Sequence, residues 1–420
     1  MAPATGRDVV DPQGGWQKIF ALLPPGSELK GVMLPRYDEN HQLAGVLKSQ
    51  VVTLIDATRV AGKDVSFELF NPDKTPRGRI DLATATIYQE SELITTRDPV
   101  EIKSDRLLAT GSGLYYSFGI KNGLARKGFL LGPAITTILP PPVETTMNPT
   151  TLPLRATAML GMSLVSQSLL AVPPTAVTPA EMEAIQADAT SRAPAAAAAA
   201  SAAQNNLKTD LADAAVASKA AATFLVQADL PPVSADATPA LAKPLDVKPG
   251  PGDTVINCDG GMYFDPDEGV LVYLKNVTVK DPRFDLSGAN ELKIFFGKKP
   301  AKEAKEKSQS AEPDKPKSGF GGDFGANFGD VERIVANGAI VMDQKPAKAG
   351  DEPIKASGAV FSYNLKADQI IISGGFPWVL QGDRFLRAKQ PNLILRISPN
   401  AGSFVTDGQW EMGGKIEQKK

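Results

Sequence analysis

The chain offers little to chemistry that needs a histidine or a thiol, because it has one of each, His41 and Cys258. Ser–His and Cys–His nucleophile pairs, and the His/Cys clusters that hold zinc, need several such groups within reach of one another. His41 lies in Asp38-Glu39-Asn40-His41-Gln42, a polar stretch that reads as a solvated hairpin turn. Cys258 falls in a β-branched run and reads as a buried structural thiol. Asp265-Pro266-Asp267-Glu268-Gly269 has the acids of a calcium loop, but Gly269 falls where a ligand belongs and no twelfth-position glutamate follows, so a hairpin turn accounts for it better. A glycosidase needs two carboxylates, and no pair stands out from the many turn acids. The glycine-rich stretch Gly319-Phe320-Gly321-Gly322-Asp323-Phe324-Gly325 follows no strand and opens no helix, which argues for a linker and against a phosphate loop. The lysines of residues 298–307 could meet lipid phosphates, but Glu303 and Glu306 interleave with them as on a solvated loop. No catalytic, metal or cofactor site is expected, and the chain is expected not to be an enzyme.

The elements that would carry these residues are mostly strands. At 420 residues the chain can form two or three domains. Its 45 basic and 47 acidic residues leave a net charge of −2, without the basic excess that a nucleic-acid partner requires. A single cysteine leaves no intrachain disulfide. The 37 glycines and 34 prolines favour short strands joined by turns. Residues 1–16 have neither an apolar core nor a basic lead, so they do not read as a signal peptide.

Three blocks follow. In residues 16–138, segments 48–55, 65–70, 79–88, 100–103 and 113–118 are β-branched or alternate apolar with polar, the mark of half-buried strands. Residues 139–252 are rich in proline and alanine. Thr178-Pro179-Ala180-Glu181 is a strong helix start, and Pro194 suggests a break between two helices. In the second, Leu207, Leu211, Ala215, Ala222 and Leu225 form an apolar stripe with Ser218 on it and Asp210, Asp213 and Lys219 off it, which predicts loose docking. Residues 253–414 return to strands, with a charged, glycine-rich insert at 297–330 expected to be disordered.

In this third block, residues 256–265 followed by Leu274-Lys275-Asn276-Val277-Thr278-Val279 resemble the opening repeat of OstA-like proteins of the LptA type. Segments 334–341, 356–363 and 370–375 resemble the rungs that follow. The first block is similar to the LptC-type unit through Met33-Leu34-Pro35-Arg36-Tyr37-Asp38, residues 83–88 and residues 108–116, with 128–138 as its closing strand, although nothing ahead of it in this sequence reads as that family's N-terminal membrane anchor. The resemblance implies a mainly β fold: two V-shaped, jelly-roll sheet units joined by an alanine-rich helical connector. It also implies a periplasmic, cell-envelope scaffold for lipopolysaccharide or a related glycolipid. Acyl chains would lie in an apolar groove, and other lipopolysaccharide-transport proteins would pair through sheet edges.

Period-two alternation on consecutive strands nominates Ile334, Val341, Val360, Ile371, Val379 and Phe385 as groove-lining side chains. The alternative is a structural or adhesive β-repeat protein of the envelope with no ligand. Arg155, the apolar run 156–170 and Ala171-Val172-Pro173 have the layout of an export signal kept between two fused units, or of an amphipathic helix capping the first sheet.

Overall fold

The structure, a computed structural model, describes residues 23–37, 43–56, 58–70, 74, 76–88, 91, 93–104, 107–117, 127–139, 179–227, 250–265, 268–297, 330–346, 352–398 and 403–414. The turn around His41, the apolar run 156–172, the glycine-rich stretch 319–325 and nearly all of the insert expected at 297–330 lie outside the described residues.

Among the described residues the fold is mainly β, and every pairing is antiparallel. Eight strands are long: β1 (Glu28–Tyr37), β2 (Leu43–Leu54), β3 (Arg59–Phe70), β4 (Pro76–Tyr88), β13 (Val270–Lys280), β14 (Phe284–Phe296), β15 (Val331–Gln344) and β16 (Ile354–Asn364). Each of these passes through a crease that divides it into two arms. The short strands supply one arm each. Arm A takes β5 (Leu93–Thr96), β8 (Leu114–Ser117), β9 (Gly128–Leu130), β12 (Gly261–Asp265), β17 (Gln369–Ser373), β20 (Leu395–Ser398) and β21 (Ser403–Thr406). Arm B takes β6 (Val100–Ser104), β7 (Leu107–Gly111), β10 (Ala134–Ile138), β11 (Thr254–Cys258), β18 (Trp378–Gln381), β19 (Arg384–Ala388) and β22 (Trp410–Gly414).

The crease is written in the backbone. Register shifts interrupt β13 after Leu274, β14 after Ser287 and β15 after Asn337. Gly288 and Gly338 sit there with φ of 77° and 146°. A Cβ on Gly288 would strike the carbonyl of Ala339, and one on Gly338 the carbonyl of Gly288, so the two strands approach too closely for side chains.

Opposed residues in an antiparallel pair point to the same face, so the registers trace rows across the sheet. On arm A one inner row runs Leu54, Val60, Ile87, Ile94, Tyr116, Gly128, Phe264, Leu271, Ile294, Ile334, Tyr363, Ile370, Ile397. Gly128 leaves its place on the row to the Phe264 ring. On arm B a row runs Leu47, Phe67, Ile80, Ile102, Ala109, Thr136, Ile256, Val279, Leu286, Met342, Ala356, Val379, Leu386. Apart from Tyr116, Gly128 and Thr136, these residues belong to one buried hydrophobic core, and Tyr116 packs against it. The arms therefore face each other across a shared interior.

Both rows run without a break from the first block into the third. The joints are β9 against β12 on arm A and β10 against β11 on arm B. Whether the two β blocks form a continuous surface is not legible in the sequence, and this pairing answers it: they are edge-to-edge parts of one sheet.

The helix α1 spans Pro179–Gln227 without the break expected at Pro194, where flanking alanines, the strongest helix formers, offset the lost backbone bond. Of α1, residues 179–206 fall in a separate unit, while 207–227 belong with the sheet. That segment is firmly seated. Its buried positions are Leu207, Asp210, Ala214, Ala217, Ala221 and Phe224, whereas Leu211, Ala215 and Ala222 of the expected stripe are exposed. Rotation of the face has a physical cause: Asp210, a charged residue placed off the stripe by its polarity, is buried through pairing.

Candidate functional site

Three surfaces could meet a ligand or partner: the interior between the arms, the ends of the sheet, and the outer face of arm A. The interior is apolar, and much of it is filled by the chain's own side chains. Phe264, Leu271, Tyr273, Phe361 and Ile370 are all fully buried. Thr136 of arm B donates to the Met262 sulfur of arm A at 3.5 Å, so the arms touch there. Burial pushes the Tyr273 phenol up, out of any acid–base role near neutrality.

The ends differ from the middle. Among the described residues, β1 pairs only with β2, β21 only with β20 and β22 only with β19. These are free edges of the kind that accept another strand. At the C-terminal end the inner rows continue outward, from Ile397 to Phe404 on arm A and from Leu386 to Met412 on arm B. Exposure rises along the way, to 39% at Phe404 and 79% at Met412. The apolar inner face is thus uncovered where the strands run out. At the other end Leu29, Val32 and Leu34 of β1 are half-buried against the core.

The outer face of arm A is occupied by α1. Phe224 inserts among Tyr115, Phe129, Tyr263 and Val272, with Ala217 and Ala221 lying close on the same cluster. Further along the helix the contacts become polar. Arg333 of β15 donates to Asp210 at 2.6 Å and to Asp213 at 2.8 Å, and its guanidinium lies 4.3 Å from the Phe295 ring centroid. Ser362 also donates to Asp210, and Ser218 donates to Glu291 at 2.6 Å. Glu291 in turn pairs with the buried Lys293 at 2.7 Å. Burial works against the Arg333 charge, and its bonds to Asp213 and Asp210 outweigh that penalty and hold its pKa above the ordinary value.

The six nominated groove residues do not share a face. Ile334 and Val379 lie on the inner face, buried in the core. Val341 and Val360 lie on the outer face and are half-buried; each is the odd neighbour of an inner residue, Met342 and Phe361. Ile371 also faces outward, in register with Ser362 under α1, and is buried for that reason. Phe385 is on the outer face opposite Leu380, 40% exposed. Inner positions keep their parity across the crease in β15 and change it in β16, so alternation counted on one strand does not carry to the next, and only the partner's register fixes the face.

Asp265 is a structural carboxylate. It accepts from the Tyr263 hydroxyl and the Glu268 amide, each at 3.1 Å, and pairs with Lys127 at 3.1 Å. Cys258 is buried, its thiol donating to the Gly261 carbonyl at 3.3 Å, and burial pushes its pKa up, away from the reactive thiolate. Among the described residues no cluster of acids, histidine and cysteine could hold a metal, and no helix is long and apolar enough to cross a membrane. Sequence reasoning placed Phe404 and Met412 within the third β block but not among the groove residues. Ser403-Phe404-Val405-Thr406 set off by Asp407-Gly408 is a strand-and-turn signal that could have found Phe404, although the strand after the turn pairs with β19 and not with β21.

No protein-family model matches the chain, and no curated protein matches it. Among solved structures, nine chains match. One is LptH of Pseudomonas aeruginosa, described as the LptA homologous periplasmic component of the lipopolysaccharide transport device. It is 16% identical, with a TM-score of 0.27, and the likeness covers 39% of this chain and 94% of that one. At that score the fold rests on the strand pairing above.

Proposed function

We propose that this chain is a non-catalytic scaffold of the cell envelope, of the lipopolysaccharide-transport type. It holds the acyl chains of a lipopolysaccharide or related glycolipid against its apolar inner face, and it joins partner transport proteins through its free strand edges in the periplasm. One observation carries the reading: an apolar inner face continues row after row through both β blocks and emerges uncovered at Phe404 and Met412, beside unpaired edges. The resemblance of residues 253–398 to OstA-like proteins supports it, and the LptC-like reading of residues 16–138 belongs to the same proposal.

A second reading is a structural or adhesive β-repeat protein without a ligand, and the filled middle of the interior favours it. Lipid extraction of the native, purified full chain followed by mass spectrometry separates the two. A stoichiometric acylated glycolipid is the expected result. A protein that emerges free of lipid from its native host overturns the scaffold reading in favour of the structural one.

A further inference from the structure

The interior has an open side, opposite the crease, where the far ends of the two arms face each other. Across β14 to β16 this side is shut. Phe284 ends arm B of β14, and its ring centroid lies 5.7 Å from Phe361 and 5.8 Å from Tyr363, both on arm A of β16. All three rings are buried. Outside this plug a polar chain crosses from arm to arm. Thr254 donates to Asp281 at 2.7 Å. Asp281 accepts from the Arg283 Nε at 2.8 Å, from its Nη2 at 3.1 Å and from its backbone amide at 2.9 Å. The Arg283 Nη1 reaches over to donate to the Tyr363 hydroxyl at 2.9 Å, with the guanidinium carbon 5.2 Å from that ring's centroid. Tyr363 passes its own proton toward Asp368 at 3.4 Å.

The links in this chain are unequal. On the arm B side Arg283 is held by three bonds to one carboxylate, and Lys345 pins the Asp281 carbonyl at 2.7 Å. On the arm A side it has one bond, to a neutral phenol, and a ring contact. Three bonds to an ionised carboxylate outweigh one bond to a neutral phenol, so the line of separation falls between Arg283 and Tyr363. Arg283 is also half-exposed, within reach of an anion from solvent.

We propose that Arg283 and the Phe284 plug form a latch on the open side, and that acyl chains pass sideways into the interior when Arg283 leaves Tyr363. An amphiphile with a phosphate headgroup opens it by taking over the Arg283 Nη1 hydrogen bond while its chain displaces the Phe284 ring. What passes rests on the scaffold reading above; the latch itself is a contact within this chain.

The test uses the full chain and a fluorescent 16-carbon fatty acid as probe. Arg283→Gln and Tyr363→Phe, which keeps the ring and removes only the hydroxyl, should each speed uptake by about fivefold, the effect of one net hydrogen bond. Arg283→Cys with Asp368→Cys, bridged by a short bismaleimide, should take up the probe quickly before bridging and far more slowly after it; the buried Cys258 is shielded from the reagent. Rates unchanged in both single variants and after bridging overturn the latch. If lipid nonetheless co-purifies with the wild type, entry lies elsewhere and the scaffold reading stands. If the variants respond as expected while the wild type carries no native lipid, the latch stands and the scaffold reading falls.

Discussion

Arg333 and Asp210 are 123 residues apart in the chain and 2.6 Å apart in space. The pair fixes α1 on the outer face of arm A one turn beyond the buried Leu207. At the other end Phe224 supplies apolar area. The helix is therefore held by two kinds of contact, directional polar bonds at Asp210, Asp213 and Ser218 and apolar packing at Phe224.

Removing Asp210 leaves the Arg333 guanidinium largely buried with only Asp213 as an ionic partner. Asp210→Ala should cost about 3 kcal/mol in chemical denaturation. The double variant Asp210→Ala, Arg333→Met should recover much of that loss, because no unpaired charge remains. Equal losses in the single and double variants would show that the pair is incidental to docking.

Phe224→Ala empties a site enclosed by Tyr115, Phe129 and Tyr263. The expected loss is about 3–4 kcal/mol. Hydrogen exchange should accelerate in residues 207–227 well before it does in β13 and β14, since the helix rests on the sheet and not the reverse.

Asp281 gives the fold an acid-sensitive element. Burial alone would raise its pKa, but hydrogen bonds and charge from Arg283, with Thr254, outweigh burial and hold it below the ordinary aspartate range. Its contribution is present above the unfolded-state value and is lost as pH falls through that value toward the depressed one. Asp281→Asn should be less stable near neutrality and should show a shallower loss of stability below about pH 4. Acid unfolding profiles of the two proteins read this directly.

Gly288→Ala should destabilise by about 2–3 kcal/mol or abolish folding, through a positive φ and a clash with the Ala339 carbonyl. Gly375, also at positive φ but with open space around it, is the control. Its alanine variant should cost only about 1 kcal/mol, a difference visible in thermal melts.

Charges placed at Phe404 and Met412 test the open end. Phe404→Asp with Met412→Asp should leave the far-ultraviolet circular dichroism unchanged and reduce retained lipid severalfold. Unchanged retention would remove this end from the binding face.

Much of the sheet is legible in the sequence. Segments 65–70 and 79–88 alternate because one face meets the core, and they lie in β3 and β4, while the β-branched segment 48–55 overlaps β2 up to Leu54. Two features hid the rest. At a crease a strand changes arms without a break, so 270–274 and 277–279 look like two strands and are one, β13. The residues 128–138 show the converse, one expected closing strand that is two, β9 and β10, parted at Gly132-Pro133. The other is cover on both sides. Ile370, Ile371 and Ile372 are all buried because the core takes the outer two and α1 lies over the middle one, which leaves no alternation to read. The candidate site suffered most, since a face assignment needs a register that only the partner strand supplies. Asp210 was misplaced for a related reason: nothing local marks an aspartate whose partner lies 123 residues away.

The joint between the two β blocks has a consequence for the chain as a covalent object. The strands that meet there, β9 with β12 and β10 with β11, are held by backbone hydrogen bonds and by the shared core, and no described strand lies in residues 139–253. Residues 207–227 add a contact that both blocks share, Phe224 against Tyr115 and Phe129 of the first and Tyr263 and Val272 of the third, and the covalent link itself raises the local concentration of the blocks. Severed within 228–249, the molecule should persist as a two-piece complex of one stoichiometry. Each separated piece would bare the strand edges that its other half had covered.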